Sequence, residues 1–195
     1  MRLALVTNPR SGRGRGIAAA RVAERVFTAA GWDAVTMLTE HPGHEAELAR
    51  HAVDEGFHAV AACGGDGTLS QVLTGLLDTG IPVGAIPAGT GNDFARTIGM
   101  SRDPGLAAQQ IVEGRPAQVD LLEINRGMSW SVNVIGLGFD AAVALRINRR
   151  RRLTGGVVAY LTAVAQELLR YRPTHIRLQV DDEKWEGRAL LLAVA

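Results

Sequence analysis

Two short turns carry the residues best suited to chemistry. In the first, Gly64-Gly65-Asp66-Gly67-Thr68, glycines end an apolar run, an acid stands between them, and Thr68 opens the amphipathic stretch TLSQVLTGLL, continuing through Leu69 and Ser70. Glycine permits positive φ and lets a ligand approach the main chain. Thr68 is expected to cap a helix whose positive end faces the same space, so the turn suits phosphate. Asp66 would repel a polyphosphate unless a cation stood between them, and Mg²⁺, held by the carboxylate or by its waters, resolves the conflict. An ordinary Asp-Gly turn before a capped helix fits the same letters. The second turn, Gly89-Thr90-Gly91-Asn92-Asp93, repeats the chemistry ahead of DFARTIG, although Asn92 and Asp93 can also be read as caps.

The basic residues narrow what these turns can be. Among 21 Lys and Arg only Lys184 is a lysine, and it lies in the acidic stretch DDEKWEG. A Walker A loop needs Lys directly after its glycines and a protein kinase needs a strand Lys, so both classes are excluded. Phosphate must then be met by main-chain N–H groups, hydroxyls, Arg and a divalent ion. A net charge of +1 argues against a nucleic-acid-binding face. Cys63 stands alone, which excludes an internal disulfide or a Cys-rich zinc site, and it reads as a small buried residue. The five histidines (41, 44, 51, 58 and 175) offer no metal-ligand spacing with a third partner, although His41 and His44 fall in a loop that can touch ligand.

Strands and helices must position these turns. RLALVTN, DAVTML, HAVAAC and PVGAIPA read as strands, separated by helical patterns over 16–30, 43–55 and 68–78. Such alternation builds a mostly parallel sheet with helices on both faces, and ligands bind such sheets at the carboxyl ends of the strands. NPRSGRGRG, GGDGT and GTGND all follow strands and should gather on one edge. From Asp120 the pattern shortens to DLLEIN and SWSVNVIG around the turn at Arg126-Gly127, so the expected division is 1–119 and 120–195. A helix is expected over 156–171, followed by THIRLQV and RALLLAVA around a turn at 181–183. The last strand reads as an unpaired apolar edge, which suggests further sequence beyond Ala195.

With these residues in place, a resemblance emerges. NPRSG (8–12), GGDGT (64–68) and PAGTGNDFAR (87–96) resemble, in order and spacing, the signature blocks of the diacylglycerol kinase family of lipid kinases. TEHPGHEA, VDLLEIN, VNVIGLGFDAAV and LTGGVVAYL extend the likeness along the chain. It implies a fold like that of NAD kinases and phosphofructokinases, followed by the beginning of a β-sandwich domain. It implies transfer of the ATP γ-phosphate to a lipid hydroxyl such as that of diacylglycerol. Asn8, Pro9, Arg10, Ser11, Gly12, Thr39, Gly64, Gly65, Asp66, Gly67, Thr68, Leu69, Ser70, Thr90, Gly91 and Asn92 would line the ATP site. Asp66, Asp93 and Asp120 would organise Mg²⁺. The family's base, a Glu in an Asp-Gly-Glu segment, is absent from the 195 residues, so the catalytic residue is expected beyond Ala195. Asp140 and Glu123 read as structural.

Two rival functions remain in view: an NAD kinase-like phosphotransferase, which shares GGDGT, and a non-catalytic nucleotide- or lipid-binding descendant. Gly136-x-Gly138-x-x-Ala141 resembles a dinucleotide fingerprint, but no acidic strand end follows about 20 residues on. The N-terminus reads as a first strand and no apolar run approaches ~18 residues, so a cytoplasmic protein is expected, in peripheral contact with the inner face of a membrane. Arg146 and Arg149–Arg152 read either as a solvated helix end or as a contact with anionic lipid, each Arg then contributing about 1 kcal/mol. Oligomeric state is open, with a homodimer as one option.

Overall fold

The computed structural model describes residues 1–149 and 164–194, with side chains to 146 in the first of these segments. The chain divides into two compact units, Met1–Asn133 and Val134–Ala195.

The first unit is built on four parallel strands in the order β2-β1-β3-β4: β1 (Arg2–Thr7), β2 (Asp33–Leu38), β3 (Ala59–Gly64) and β4 (Val83–Pro87). The two central strands are apolar on both faces because both faces are covered. Leu3, Leu5, Ala59, Ala61 and Cys63 point to one side, packing with Ala19, Ala20, Ala23 and Phe27 of α1 (Gly16–Ala29) and Ala107 and Ala108 of α5 (Pro104–Glu113). The alternate residues Ala4, Val6, Val60 and Ala62 meet Ala49 and Ala52 of α2 (His44–Asp54) and Leu69, Val72 and Leu76 of α3 (Asp66–Leu76). Right-handed crossovers put α1 opposite α2 and α3, because β1 steps outward to β2 while the later strands step the other way. The direction therefore reverses between β1 and β3, which opens the crevice where ligands bind in such sheets. A short helix, α4 (Asp93–Thr97), follows β4.

Helix α5 was not among the expected elements. Asp103 caps it, its Oδ1 accepting from the N–H groups of Gly105 and Leu106 at 2.8 and 2.9 Å, with Pro104 in the first turn. Strands β5 (Leu122–Ile124) and β6 (Ser129–Ser131) form an antiparallel hairpin within the first unit, and Asn125, Arg126 and Gly127 all take positive φ in its loop.

The second unit has β-sandwich-like strands. β7 (Ile135–Gly138) runs into α6 (Phe139–Arg149) and pairs antiparallel with β10 (Leu191–Val194). β8 (Thr174–Val180) pairs with β9 (Glu183–Ala189) around Asp181-Asp182, with Asp181 at φ 51°. Two expected strands are corrected. SWSVNVIG is two strands, β6 and β7, in different units, because the chain leaves its hairpin after Ser131. RALLLAVA is cut at Leu190, so that EKWEGRA pairs with β8 while Leu191–Val194 pairs with β7 instead of standing unpaired. The antiparallel partner of β7 also removes the dinucleotide-binding reading of Gly136–Ala141, which needs a parallel unit. Of the helix expected over 156–171, residues 164–168 are helical and those up to 163 lie outside the described residues, as do Arg150–Arg152. Arg146 is paired with Glu167, its Nε 2.6 Å from Oε2. Among the described residues, no helix is long and apolar enough to cross a membrane.

Candidate functional site

The turns after β1, β3 and β4 meet at the carboxyl edge of the sheet. Gly64 O accepts from the N–H groups of Ala88 (2.8 Å) and Gly89 (3.1 Å), which locks the third turn onto the second. The contact is so close that a Cβ on Gly89 would stand 2.5 Å from Gly65 Cα, so only glycine fits. Gly12, at φ 54°, is fixed in the same way: a Cβ there would stand 2.1 Å from Ala88 O. Asn8 anchors the first turn. Its N–H donates to Cys63 O at 3.1 Å, its Oδ1 accepts from Arg10 N at 3.0 Å, and its Nδ2 donates to the buried Glu45 carboxylate of α2 at 3.1 Å.

Asp66 begins α3, two residues earlier than the expected helix start, with Gly65 as N-cap. Thr68 is therefore not the cap; it is buried in the first turn, and its Oγ1 lies 2.3 Å from where a Cβ on Gly64 would stand. Asp66 Oδ1 accepts from Phe94 N at 3.1 Å and from Asn133 Nδ2 at 2.8 Å. Partial burial disfavours its charge, but the hydrogen bonds from the Phe94 and Asp93 main chain and the Asn133 amide outweigh that and hold its pKa below the usual carboxylate value. Its other oxygen, Oδ2, faces Gly91: the point where a Cβ would stand there is 3.2 Å from Asp66 Oδ2 and 3.4 Å from Asp93 Oδ2. Two carboxylate oxygens therefore look onto one small region, a donor set that suits a hard divalent cation. Asp93 is otherwise exposed and ion-paired to Arg96 at 2.8 Å.

Asn92 sits at φ 54° and closes its turn reciprocally, Oδ1 accepting from Gly89 N at 2.9 Å and Nδ2 donating to Gly89 O at 3.1 Å. Gly64, Gly65, Asp66, Leu69, Pro87 and Asn92 are among the residues lining a small crevice here. Thr90 and Gly91 are exposed at the tip of the third turn, and Ser70 lies half-buried in α3. Thr39 follows β2, buried, its N–H bonded to Thr7 O at 3.0 Å. Asp120 is exposed on the segment before β5 and is not among the groups bonded to Asp66 or lining the crevice. Asn133 and Glu45 were missed from the sequence. Nothing marks Asn133 in its local pattern, because its partner lies 67 positions away.

The arrangement offers glycine main chain, a helix start and paired carboxylates on one edge, the equipment for holding a phosphate chain beside a cation. Comparison with known proteins gives the family. Residues 2–124 match the description of the diacylglycerol kinase catalytic domain, and residues 133–195 that of the YegS C-terminal NAD kinase beta sandwich-like domain. A diacylglycerol kinase of Mycobacterium tuberculosis (strain ATCC 25618 / H37Rv) is 40% identical over 184 residues, covering 90% of this chain and 58% of its own length. The diacylglycerol kinase of Bacillus subtilis (strain 168) is 30% identical over 198 residues, covering 99% of this chain and 64% of its own. A crystal structure of a diacylglycerol kinase from Bacillus anthracis str. Sterne shares the fold, with a TM-score of 0.73 at 24% identity over 98% of this chain and 63% of that one. The chain thus spans 58 to 64% of the length of these relatives.

Proposed function

The chain belongs to the diacylglycerol kinase catalytic-domain family, and on that premise we propose that it is an ATP-dependent lipid kinase, transferring the γ-phosphate to the hydroxyl of diacylglycerol or a similar lipid. The observation that carries this reading is the convergence of GGDGT and GTGND on one sheet edge, with Asp66 held ionised beside the Asp93 carboxylate.

Asn8, Ser11, Gly12, Thr39, Gly64 to Ser70 and Thr90 to Asn92 line the nucleotide in this reading. Main-chain N–H groups of the turns and the start of α3 meet the phosphates, which is how a chain with no lysine near its glycine turns can hold them. Asp66 and Asp93 hold Mg²⁺, with Asp120 joining only if the nucleotide draws its segment inward. Mg²⁺ supplies neutralisation of the charge on the transferring phosphoryl group. The chain's own work is positioning, which dominates phosphoryl transfer: Asn133 and the main chain of Phe94 fix the Asp66 carboxylate, and Asn92 fixes the turn that carries Asp93. In this reading residues 1–119 form the nucleotide-binding part and 120–195 the lipid-binding part, except that the 120–133 stretch packs in the first compact unit and lends Asn133 to Asp66. The lipid-binding part works by peripheral contact with a membrane surface.

A labelled-ATP assay with mixed vesicles containing diacylglycerol tests the proposal. Mg²⁺-dependent label is expected in the lipid when the chain is joined to a segment carrying the Asp-Gly-Glu base, and should fall sharply in Asp66→Asn of the same protein. Label that appears equally in both proteins, or in water but never in lipid, would refute the lipid-kinase reading.

A further inference from the structure

In the loop that follows β2 and the first turn of α2, the chain brings a second set of ligating side chains together. One ligand atom from each of His41, His44 and Glu47 lies within 4.8 Å of the others. No third partner for the histidines was evident from the sequence, because His41 lies in a loop and Glu47 in the helix that follows it. Glu47 lies one turn into α2 from His44, on the same helix face, and His41 reaches back from the preceding loop. We propose that His41, His44 and Glu47 form a binding site for a divalent transition-metal ion of the zinc class.

The donor set selects the ion. Two imidazoles and one carboxylate suit Zn²⁺, Co²⁺ or Ni²⁺, whereas Mg²⁺ prefers oxygen donors throughout. The two rings stack, with centroids 4.5 Å apart and planes 10° from parallel, which brings them side by side; a tilt of the exposed His41 ring lets their in-plane lone pairs converge on one ion. His41 Nδ1 lies 3.3 Å from Pro42 O, which can only accept, and in the tautomer that donates there Nε2 is the nitrogen open to a metal. His44 Nδ1 accepts from Glu40 N at 3.1 Å. Ligation through His44 Nδ1 displaces that bond directly. Ligation through Nε2 needs the ring proton on Nδ1 and breaks it as well. Either way the N–H of Glu40, on an exposed residue, turns to water. The remaining tetrahedral position is left to water.

The ion would tie the 39–43 loop to α2, whose N-cap, Gly43, provides no side-chain cap of its own. The site stands on its own residues and does not depend on the kinase reading.

The experiment is a calorimetric titration of ZnCl₂ into EDTA-stripped protein without nucleotide, with ¹⁵N spectra recorded in parallel. One ion per chain is expected, with affinity lowered at least ~10-fold in His44→Ala and in Glu47→Gln. His51→Ala, further along α2, should bind as the wild type does. Glu47 is exposed, so Glu47→Gln keeps the test valid should His44→Ala fold poorly, and melts in EDTA report on folding. The Glu40 amide resonance should move on zinc addition. Absence of stoichiometric binding, unchanged affinity in Glu47→Gln, or a Glu40 amide that stays in place would each overturn the site.

Discussion

Replacing Gly89 by alanine separates the role of glycine in the fold from its role toward a ligand. The new Cβ would stand 2.5 Å from Gly65 Cα and 2.7 Å from Asn92 Oδ1. Carbon atoms pack at about 3.5–4.0 Å, so the two turns must part by about an ångström. That movement strains the Ala88 and Gly89 bonds to Gly64 O and the reciprocal Gly89–Asn92 pair. Overpacking costs about 1–3 kcal/mol and each lost hydrogen bond about 1 kcal/mol, a total of roughly 2–4 kcal/mol. At about 2–4 °C per kcal/mol for a chain of this size, Gly89→Ala should melt roughly 5–15 °C below the wild type. Gly67 provides the contrast. It is exposed in the first turn of α3, and a Cβ there meets nothing within 4 Å. Alanine at a helical position is preferred by roughly 0.5–1 kcal/mol, so Gly67→Ala should melt at or slightly above the wild-type temperature. In the phosphate-cradle reading it should nonetheless bind Mg-ATP more weakly. Thermal melts by circular dichroism decide the first half and calorimetry the second. A Gly89→Ala protein as stable as the wild type, or a Gly67→Ala protein that binds Mg-ATP with unchanged affinity, would refute the reasoning.

Two further outcomes follow from the hydrogen bonds and burial around the site. Asn133→Ala removes a charge-assisted bond to Asp66, so the Asp66 pKa should rise toward the ordinary carboxylate value, as read by carboxyl ¹³C titration. A carboxylate whose pKa is lowered by folding contributes stability above its unfolded pKa and loses it as pH falls through the folded value. The stability gap between Asn133→Ala and the wild type should therefore be largest at neutral pH and close in acid, and a gap independent of pH would contradict the assignment. Burial pushes the Cys63 thiol up to about 12, against a smaller opposing effect from Thr7, so native protein should resist alkylation at pH 8 and react only once unfolded. Rapid labelling of the folded chain would show the packing of β3 to be wrong.

The parts of this molecule legible in the sequence are those set by local pattern. LALV and AVAAC are continuous apolar runs because β1 and β3 are covered on both faces, and the glycine turns follow them by topology alone. Helix α5 was not expected, because its Ala-rich buried face lacks the large residues that make helical period obvious. The breaks in SWSVNVIG and RALLLAVA could not be read, since each turns on which partner the chain leaves and which it joins next. Asn133 on Asp66 and Asn8 on Glu45 are contacts across 67 and 37 positions, visible only once the sheet has brought the elements together. The His41, His44 and Glu47 cluster was hidden differently: its spacing is short, but it straddles the junction between a loop and α2, where neither pattern alone places all three.

The central claim is that the paired glycine turns with Asp66 bind Mg-ATP, and the most direct measurement is a calorimetric titration of Mg-ATP into the wild type and Asp66→Asn. Asparagine keeps an oxygen for the Phe94 and Asn133 bonds while removing the charge, so the fold should stand. Loss of a charge-assisted contact, about 1.5–3 kcal/mol, should weaken Mg-ATP binding roughly 10- to 150-fold. Equal affinity in the two proteins, or no binding by the wild type, would contradict the account.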